Sequence, residues 1–348
     1  MTYIFPFILS FIITLGLTPL VRFYVLKNKL ALSELRDRDV HKKPTPRLGG
    51  IAIFISFWLI AIGYWLYAPE KLHFVDEKFL GIDKNLLGVF IGSLILLFTG
   101  IIDDIKGIKP WSKLFWQTIA AYMVVIFGIK IWWFANPLGG ANIILDNWTY
   151  LFVPAWIVLI INVVNWLDGI DGLASGVSSI TLIVLMFLSL TNYVNQPATA
   201  LLCAILAGAV FGFLPYNFNP AKIFLGDSGA MFLGFMIAIF AIISGGKVAT
   251  TALVLGLPIL DALWVISRRI IIGKSPMKAD KFHLHHRFLQ AGFSQRQTVV
   301  ILYLISAVFG IVALQTGTEG KMAASLWLLI IMGIIGIGLI LLRRKSDI

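Results

Sequence analysis

Long apolar runs separated by short polar loops repeat along the whole chain. Runs close to the ~20 residues that a membrane-crossing helix requires cover 3–26, 49–68, 86–102, 114–134, 151–166, 173–191, 198–216, 229–244, 250–268, 298–316 and 322–342. The pattern predicts an all-α polytopic membrane protein with about eleven transmembrane helices. No internal repeat or low-complexity tract divides the chain, so residues 1–348 are expected to form a single integral-membrane domain. Its longest polar segments are the loops 27–48 and 268–297.

Composition supports that reading: 59% of the 348 residues are hydrophobic, only 13% are charged, and the mean hydropathy is +0.92. A soluble domain of this length would carry far more charge. The 11 Trp and 26 Phe suit lipid-facing surfaces and interfacial belts without any cofactor. A lone cysteine, Cys203, excludes a disulfide framework and a thiolate metal cluster.

The net charge of +11 raises nucleic acid as a partner, but the placement of the charges argues against it. Alternating the loops between two faces puts 22 of the 28 Lys and Arg on the face that bears Arg22, Lys222, the loops 27–48, 103–113 and 268–297, and the Arg343-Arg344-Lys345 tail. By the positive-inside rule that face is cytoplasmic, which places the N-terminus outside and the C-terminus in the cytoplasm. The opening segment has no basic n-region or small-residue cleavage pattern and is expected to be retained as a helix.

Candidate chemistry gathers on the same basic face, in the loops 103–113, 165–172, 217–228 and 268–297, with 27–48 beside them. Five aspartates, Asp103, Asp104, Asp168, Asp171 and Asp227, lie in or next to these loops. Carboxylates are costly near a bilayer, so a group of them points to function. Adjacent helical residues point about 100° apart, so of Asp103 and Asp104 one can act while the other orients it or pairs with Lys106. A pair of acids that only meets water at a helix end is the alternative. Asn162, Asn165, Asp168 and Asp171 recur every third residue and converge only if Gly169 and Gly172 bend the backbone or the helix end tightens.

Lys222-Ile-Phe-Leu-Gly-Asp-Ser-Gly reads as a glycine-bounded turn presenting Asp227 and Ser228 at a helix start, where exposed amides suit phosphate oxygens. Hard carboxylate ligands favour Mg²⁺. His283-Leu-His-His-Arg holds three of the five histidines. Zinc competes for them, but there is no partner pattern, and His283, His285, His286 and Arg287 read as anion-contacting. Lys43 and Arg47 are candidates for phosphate contacts. Asp261 lies seven residues before Arg268 inside an apolar run; a structural contact near the helix end and catalysis both fit it.

The motifs HKKPTPRLGG at 41–50, Gly100 to Asp104, Asn162 to Gly172, FLGDSG at 224–229 and HLHHR at 283–287 together resemble the polyprenyl-phosphate N-acetylhexosamine-1-phosphate transferase family, over nearly the whole chain. The resemblance implies transfer of a sugar 1-phosphate from a UDP-N-acetylhexosamine to a polyprenyl phosphate, with release of UMP, at the cytoplasmic side of a bacterial plasma membrane. It implies that Asp227 ligates Mg²⁺, with Mn²⁺ as a substitute, and that Asp103 and Asp104 serve near the lipid phosphate. Phe224, Asn165, Asp168 and Asp171 would shape the uridine pocket, and the histidine segment would lie near the diphosphate and sugar.

Leu284 interrupts the histidine run, which favours UDP-GlcNAc and the first membrane step of a cell-envelope glycan pathway over the phospho-N-acetylmuramoyl-pentapeptide branch. The resemblance allows a homodimer. Trp166-Leu167 before Asp168 departs from the family pattern, where small or aliphatic residues are usual. An anion transporter is the rival of a different class, but it needs a polar path across the membrane, and the outward loops offer no matching cluster.

Overall fold

The computed structural model describes residues 1–32, 44–74, 77–79, 82–136, 140–243, 248–273 and 282–346. Its helices are α1 (Ile4–Lys27), α2 (Gly49–Tyr67), α3 (Lys84–Lys106), α4 (Pro110–Ile126), α5 (Thr149–Leu167), α6 (Leu173–Ser189), α7 (Pro197–Asn217), α8 (Gly226–Ile243), α9 (Val248–Val254), α10 (Gly256–Ile271), α11 (Leu284–Gln290), α12 (Gln295–Gln315) and α13 (Thr318–Ser346). Two two-stranded antiparallel sheets, pairing 78–79 with 82–83 and 133–134 with 143–144, are the only sheets among the described residues.

Every apolar run in the sequence becomes a helix or, at 250–268, most of a bent pair. Among the described residues eight helices are long and apolar enough to cross a membrane, and α9 with α10 makes a ninth if that pair, bent by 78°, counts as one span. The runs at 114–134 and 173–191 yield the shorter helices α4 and α6, of 17 residues each. The protein is thus an all-helical, multi-pass membrane protein.

Local signals set the helix ends. Pro110 and Pro197 open α4 and α7, where the missing N–H costs nothing. Asp83 accepts from the N–H groups of Asn85 and Leu86 to cap α3, and Gly107 ends that helix with φ +67°. Ser294 and Gln297 form a capping box at α12.

The helices are not equivalent. Nearly all of α8 is buried, whereas most of α1 and α13 is exposed, so α8 is the hub and the terminal helices form the rim. Lipid tails are as apolar as leucine, so helices in a membrane associate through close packing and small residues. Around α8 the packing is aromatic further along, where Phe232 meets Phe54 edge-on at 5.1 Å, and glycine-mediated at its start.

Candidate active site

The start of α8 is built by three other segments. Phe224 N–H donates to the Pro46 carbonyl at 2.8 Å, while Gly49 and Gly50 donate to the carbonyls of Phe224 and Leu225 at 3.1 and 2.9 Å. The 46–50 segment therefore pairs with the turn before α8, leaving the Arg47 side chain exposed beside it. A Cβ on Gly50 would strike the backbone of Gly229 and Ser228, and one on Gly100 the backbone of Ser228 and Asp227. Glycine at these two positions lets α2 and α3 close on the first turn of α8.

Into that crossing α3 inserts its two acids, which part as their helical angle requires. Asp104 turns to α8 and accepts from Asp227 N–H at 2.9 Å, Ser228 N–H at 3.1 Å and the Ser228 hydroxyl at 2.8 Å. These are donors that a helix start leaves without partners, and a negative charge there complements the helix dipole. Asp103 instead accepts from Ile108 N–H at 2.7 Å and pairs with Lys113 of α4. Lys113 also reaches Asp227, at 3.2 Å. Asn165 of α5 donates its amide N–H to the other Asp227 oxygen, and Asp103 and Asp227 lie side by side.

The asparagine–aspartate ladder of 162–171 splits. Asn162 stays inside the helix layer and donates to Gln117 at 2.8 Å, one turn along α4 from Lys113. Asn165 and Asp168 converge on the start of α8. Part of Asp168 meets solvent, while its carboxyl is enclosed; that enclosure and the negative charges of Asp227, Asp104 and Asp171 hold it well above the usual carboxylate range, against the pull of the Gly226 N–H. Gly172, at φ +80°, turns the chain into α6, and buried Asp171 staples the next loop by accepting from Asn219 Nδ2 and Ala221 N–H, both at 3.0 Å.

The histidine segment hangs from α10. Asp261 faces His283 and Leu284, not Arg268: its Oδ2 lies 2.8 Å from His283 Nδ1 and its Oδ1 accepts from Leu284 N–H at 2.8 Å. Arg268 stacks on Phe282, 3.7 Å from the ring centroid. Trp166 stacks on His283 with centroids 6.3 Å apart. His285 is buried against Gly169 and its Nε2 has no hydrogen-bond partner among the described residues. Burial, then the neighbouring His286 and His283, push its imidazole well below the usual value. Arg287 points to α13, its Nη1 4.0 Å from where a Cβ on Gly336 would lie. Half-buried Phe224 lies in the turn paired with 46–50, and Lys43 lies outside the described residues.

A family model described as glycosyl transferase family 4 matches residues 86–245, the stretch that carries the five clustered aspartates. A Bacillus subtilis protein named "Probable undecaprenyl-phosphate N-acetylglucosaminyl 1-phosphate transferase" is 32% identical over 315 residues, 88% of this chain and 83% of that protein. The chain belongs to glycosyl transferase family 4. A Mycolicibacterium smegmatis decaprenyl-phosphate N-acetylglucosaminephosphotransferase is likewise 32% identical, over 91% of this chain and 83% of its own length. An Orientia tsutsugamushi phospho-N-acetylmuramoyl-pentapeptide-transferase is 31% identical, over 89% and 91%.

As a family-4 transferase the protein is an enzyme, and its acids are read in that light. Among the described residues no three His, Cys, Asp or Glu side chains form a self-contained metal cage. The paired carboxylates of Asp103 and Asp227, with a lysine between them, still suit a magnesium ion, which takes one or two carboxylates and leaves its other positions to water and substrate phosphates. Sequence reasoning passed over Lys113 and left the partner of Asp261 open. Lys113 and Gln117, one helical turn apart where α4 turns apolar, were the available signal for a polar face directed inward.

Proposed function

We propose that this family-4 enzyme transfers N-acetylglucosamine 1-phosphate from UDP-GlcNAc to undecaprenyl phosphate, as the first membrane step of a cell-envelope glycan pathway. The observation that carries this reading is the convergence of Asp103, Lys113 and Asn165 on Asp227 at the start of α8. The names of the Bacillus and Mycolicibacterium relatives support the lipid acceptor and the sugar, and the His-Leu-His-His-Arg form favours GlcNAc. The excess of basic residues at the acid-lined end supports a cytoplasmic site in a bacterial plasma membrane.

An oxygen of the lipid phosphate attacks the β-phosphorus of UDP-GlcNAc, and the bond from that phosphorus to the oxygen of UMP breaks. A phosphate monoester with a second pKa of about 6 is already largely dianionic at neutral pH, so the enzyme needs little general-base help. Positioning and charge neutralisation dominate such transfers. Asp227, with Asp103 beside it, would hold Mg²⁺ or Mn²⁺, which when bound neutralises the diphosphate and the departing UMP. Asp103 orients the lipid head group. Lys43 and Arg47 hold substrate anions through charge-assisted hydrogen bonds. Phe224, Asn165, Asp168 and Asp171 line or support the uridine pocket, and His283, His285, His286 and Arg287 border the diphosphate and sugar.

The deciding assay supplies purified protein with undecaprenyl phosphate, Mg²⁺ and a panel of UDP-sugars that includes UDP-MurNAc-pentapeptide, and reads out UMP. Release of UMP from UDP-GlcNAc only when the lipid is present is expected. Preference for the pentapeptide donor would move the enzyme to the other branch. UMP release without lipid, or ping-pong kinetics, would replace direct attack by an aspartyl-phosphate route.

A further inference from the structure

Asp261 stands apart from the acid cluster, buried on an otherwise apolar part of α10. Both of its oxygens are used on one segment, at 2.8 Å to His283 Nδ1 and at 2.8 Å to Leu284 N–H. An ionised carboxylate only accepts, so the His283 nitrogen that faces it carries a proton. The ring is thereby oriented and Nε2 is left as its free nitrogen.

On its other side the ring stacks on Trp166, two residues before Asp168, with an interplanar angle of 27°. It also runs parallel to His285, with centroids 5.8 Å apart. Among the described residues the ring's titratable partners are Asp261 from α10 and His285 on its own segment; Arg268 is stacked on Phe282. Trp166 thus lies over one face of the imidazole.

We propose that Asp261 is a positioning residue of the transfer reaction: it seats His283 with Nδ1–H bound and leaves Nε2 free for the diphosphate of the sugar nucleotide. The second contact, to Leu284 N–H, fixes the start of α11 in the same stroke, so ring and helix cannot shift independently. This inference rests on the transferase reading above.

Asp261→Asn separates orientation from folding. An asparagine oxygen can still accept from Leu284 N–H, while its amide N–H, facing His283, favours the tautomer protonated at Nε2 instead of Nδ1. The first measurement is a ¹⁵N spectrum of histidine-labelled wild-type protein without substrate, with His283 assigned by its loss in His283→Ala. A proton on Nδ1, in the neutral or the charged ring, is expected; an Nε2-only tautomer overturns the proposal. Because this spectrum needs no turnover, it decides the positioning even if the assay with UDP-GlcNAc refutes the transferase reading.

The second measurement is kinetic. Asp261→Asn should lower kcat roughly 10- to 100-fold, as misplacement of a reacting group does, and change the KM for UDP-GlcNAc less than about twofold. Adding it to His283→Ala should cost no more than about a further twofold, the signature of two residues acting as one. Wild-type kcat in Asp261→Asn, or losses that multiply in the double variant, would overturn the proposal. Should Asp261→Asn not insert, the wild-type spectrum still decides.

Discussion

Two helix starts in this protein are capped by an aspartate from another helix, and they are built differently. At α8 the cap, Asp104, makes three hydrogen bonds in a crossing where Gly50 and Gly100 bring backbone against backbone. At α11 the cap, Asp261, makes one bond to the helix and one to an imidazole. Beneath it lies a cavity of about 20 Å³, lined by Leu257, Pro258, His285, Leu302 and Ser306, which is room for about one water. The first start holds a carboxylate, Asp227, with little room for motion. The second holds a ring and leaves space below it. An acid inside a membrane protein can therefore matter through the group it aims, and the tightness of the surrounding backbone shows how finely that aim is set.

Breaking the tight start should have the largest effect. Asp227→Asn removes one of the two side-by-side carboxylates and is expected to lower kcat roughly 100- to 1,000-fold, the size seen when a developing charge loses its partner. Membrane insertion and the elution volume on size exclusion should stay normal, and Mg²⁺ titration should weaken in parallel; full Mg²⁺-dependent turnover would remove Asp227 from its role. Gly100→Ala forces a Cβ into the Ser228 backbone, an overpacking change that costs about 1–3 kcal/mol. A lowered thermal midpoint with reduced activity is expected, whereas Gly63→Ala, with nothing within 4 Å of its Cβ, serves as the silent control.

Removing the cap itself should cost less than crowding the crossing. Asp104→Ala is expected to lose about 1–2 kcal/mol of stability, and activity should fall further than the fraction unfolded explains, because Asp227 N–H loses its anchor. Arg47→Ala lies outside the crossing and should raise the KM for an anionic substrate about tenfold without moving the thermal midpoint. An unchanged KM for both substrates would dismiss it as a phosphate contact.

The smallest change is Asp168→Asn. Its carboxyl holds its proton to higher pH when folded than when unfolded. Its contribution to stability is therefore full below the ordinary carboxylate value of about 3.9 and is lost as the pH rises towards the raised folded value. In metal-free protein the asparagine variant should melt about 2–4 °C above wild type at pH 8 and level with it near pH 4, while turnover assayed with Mg²⁺ falls. A variant less stable than wild type at pH 8 would show that the acid is held in its charged form.

The helical runs and the gathering of acids were legible because hydrophobicity and carboxylate cost act locally. Asp103 and Asp104 could be separated on paper by the angle between neighbours on a helix. Which of them caps α8 could not, because that depends on where another helix begins. The three-residue ladder could converge only if the backbone bent at Gly169 and Gly172 or the helix end tightened. In the fold Asn162 is drawn to Gln117 and Asp171 to Asn219, since the helix ends at Leu167 and its geometry no longer governs the later members. For Asp261 a structural contact near the helix end and catalysis both stayed open, because helical spacing sees only its own helix; His283 arrives from 22 residues away. Trp166 looked like an irregularity until its partner ring was in place.

The glycine crossing also fixes how this site can be inherited. Position 50 sits against position 229, and position 100 against 227 and 228, so three distant stretches of sequence share one interface with no side chain to absorb a mismatch. A chimera that borrows any one of these stretches from a relative whose counterpart differs there by a single methyl group would lose the register of the other two. The three must travel together through recombination, as one inherited block written in separate places.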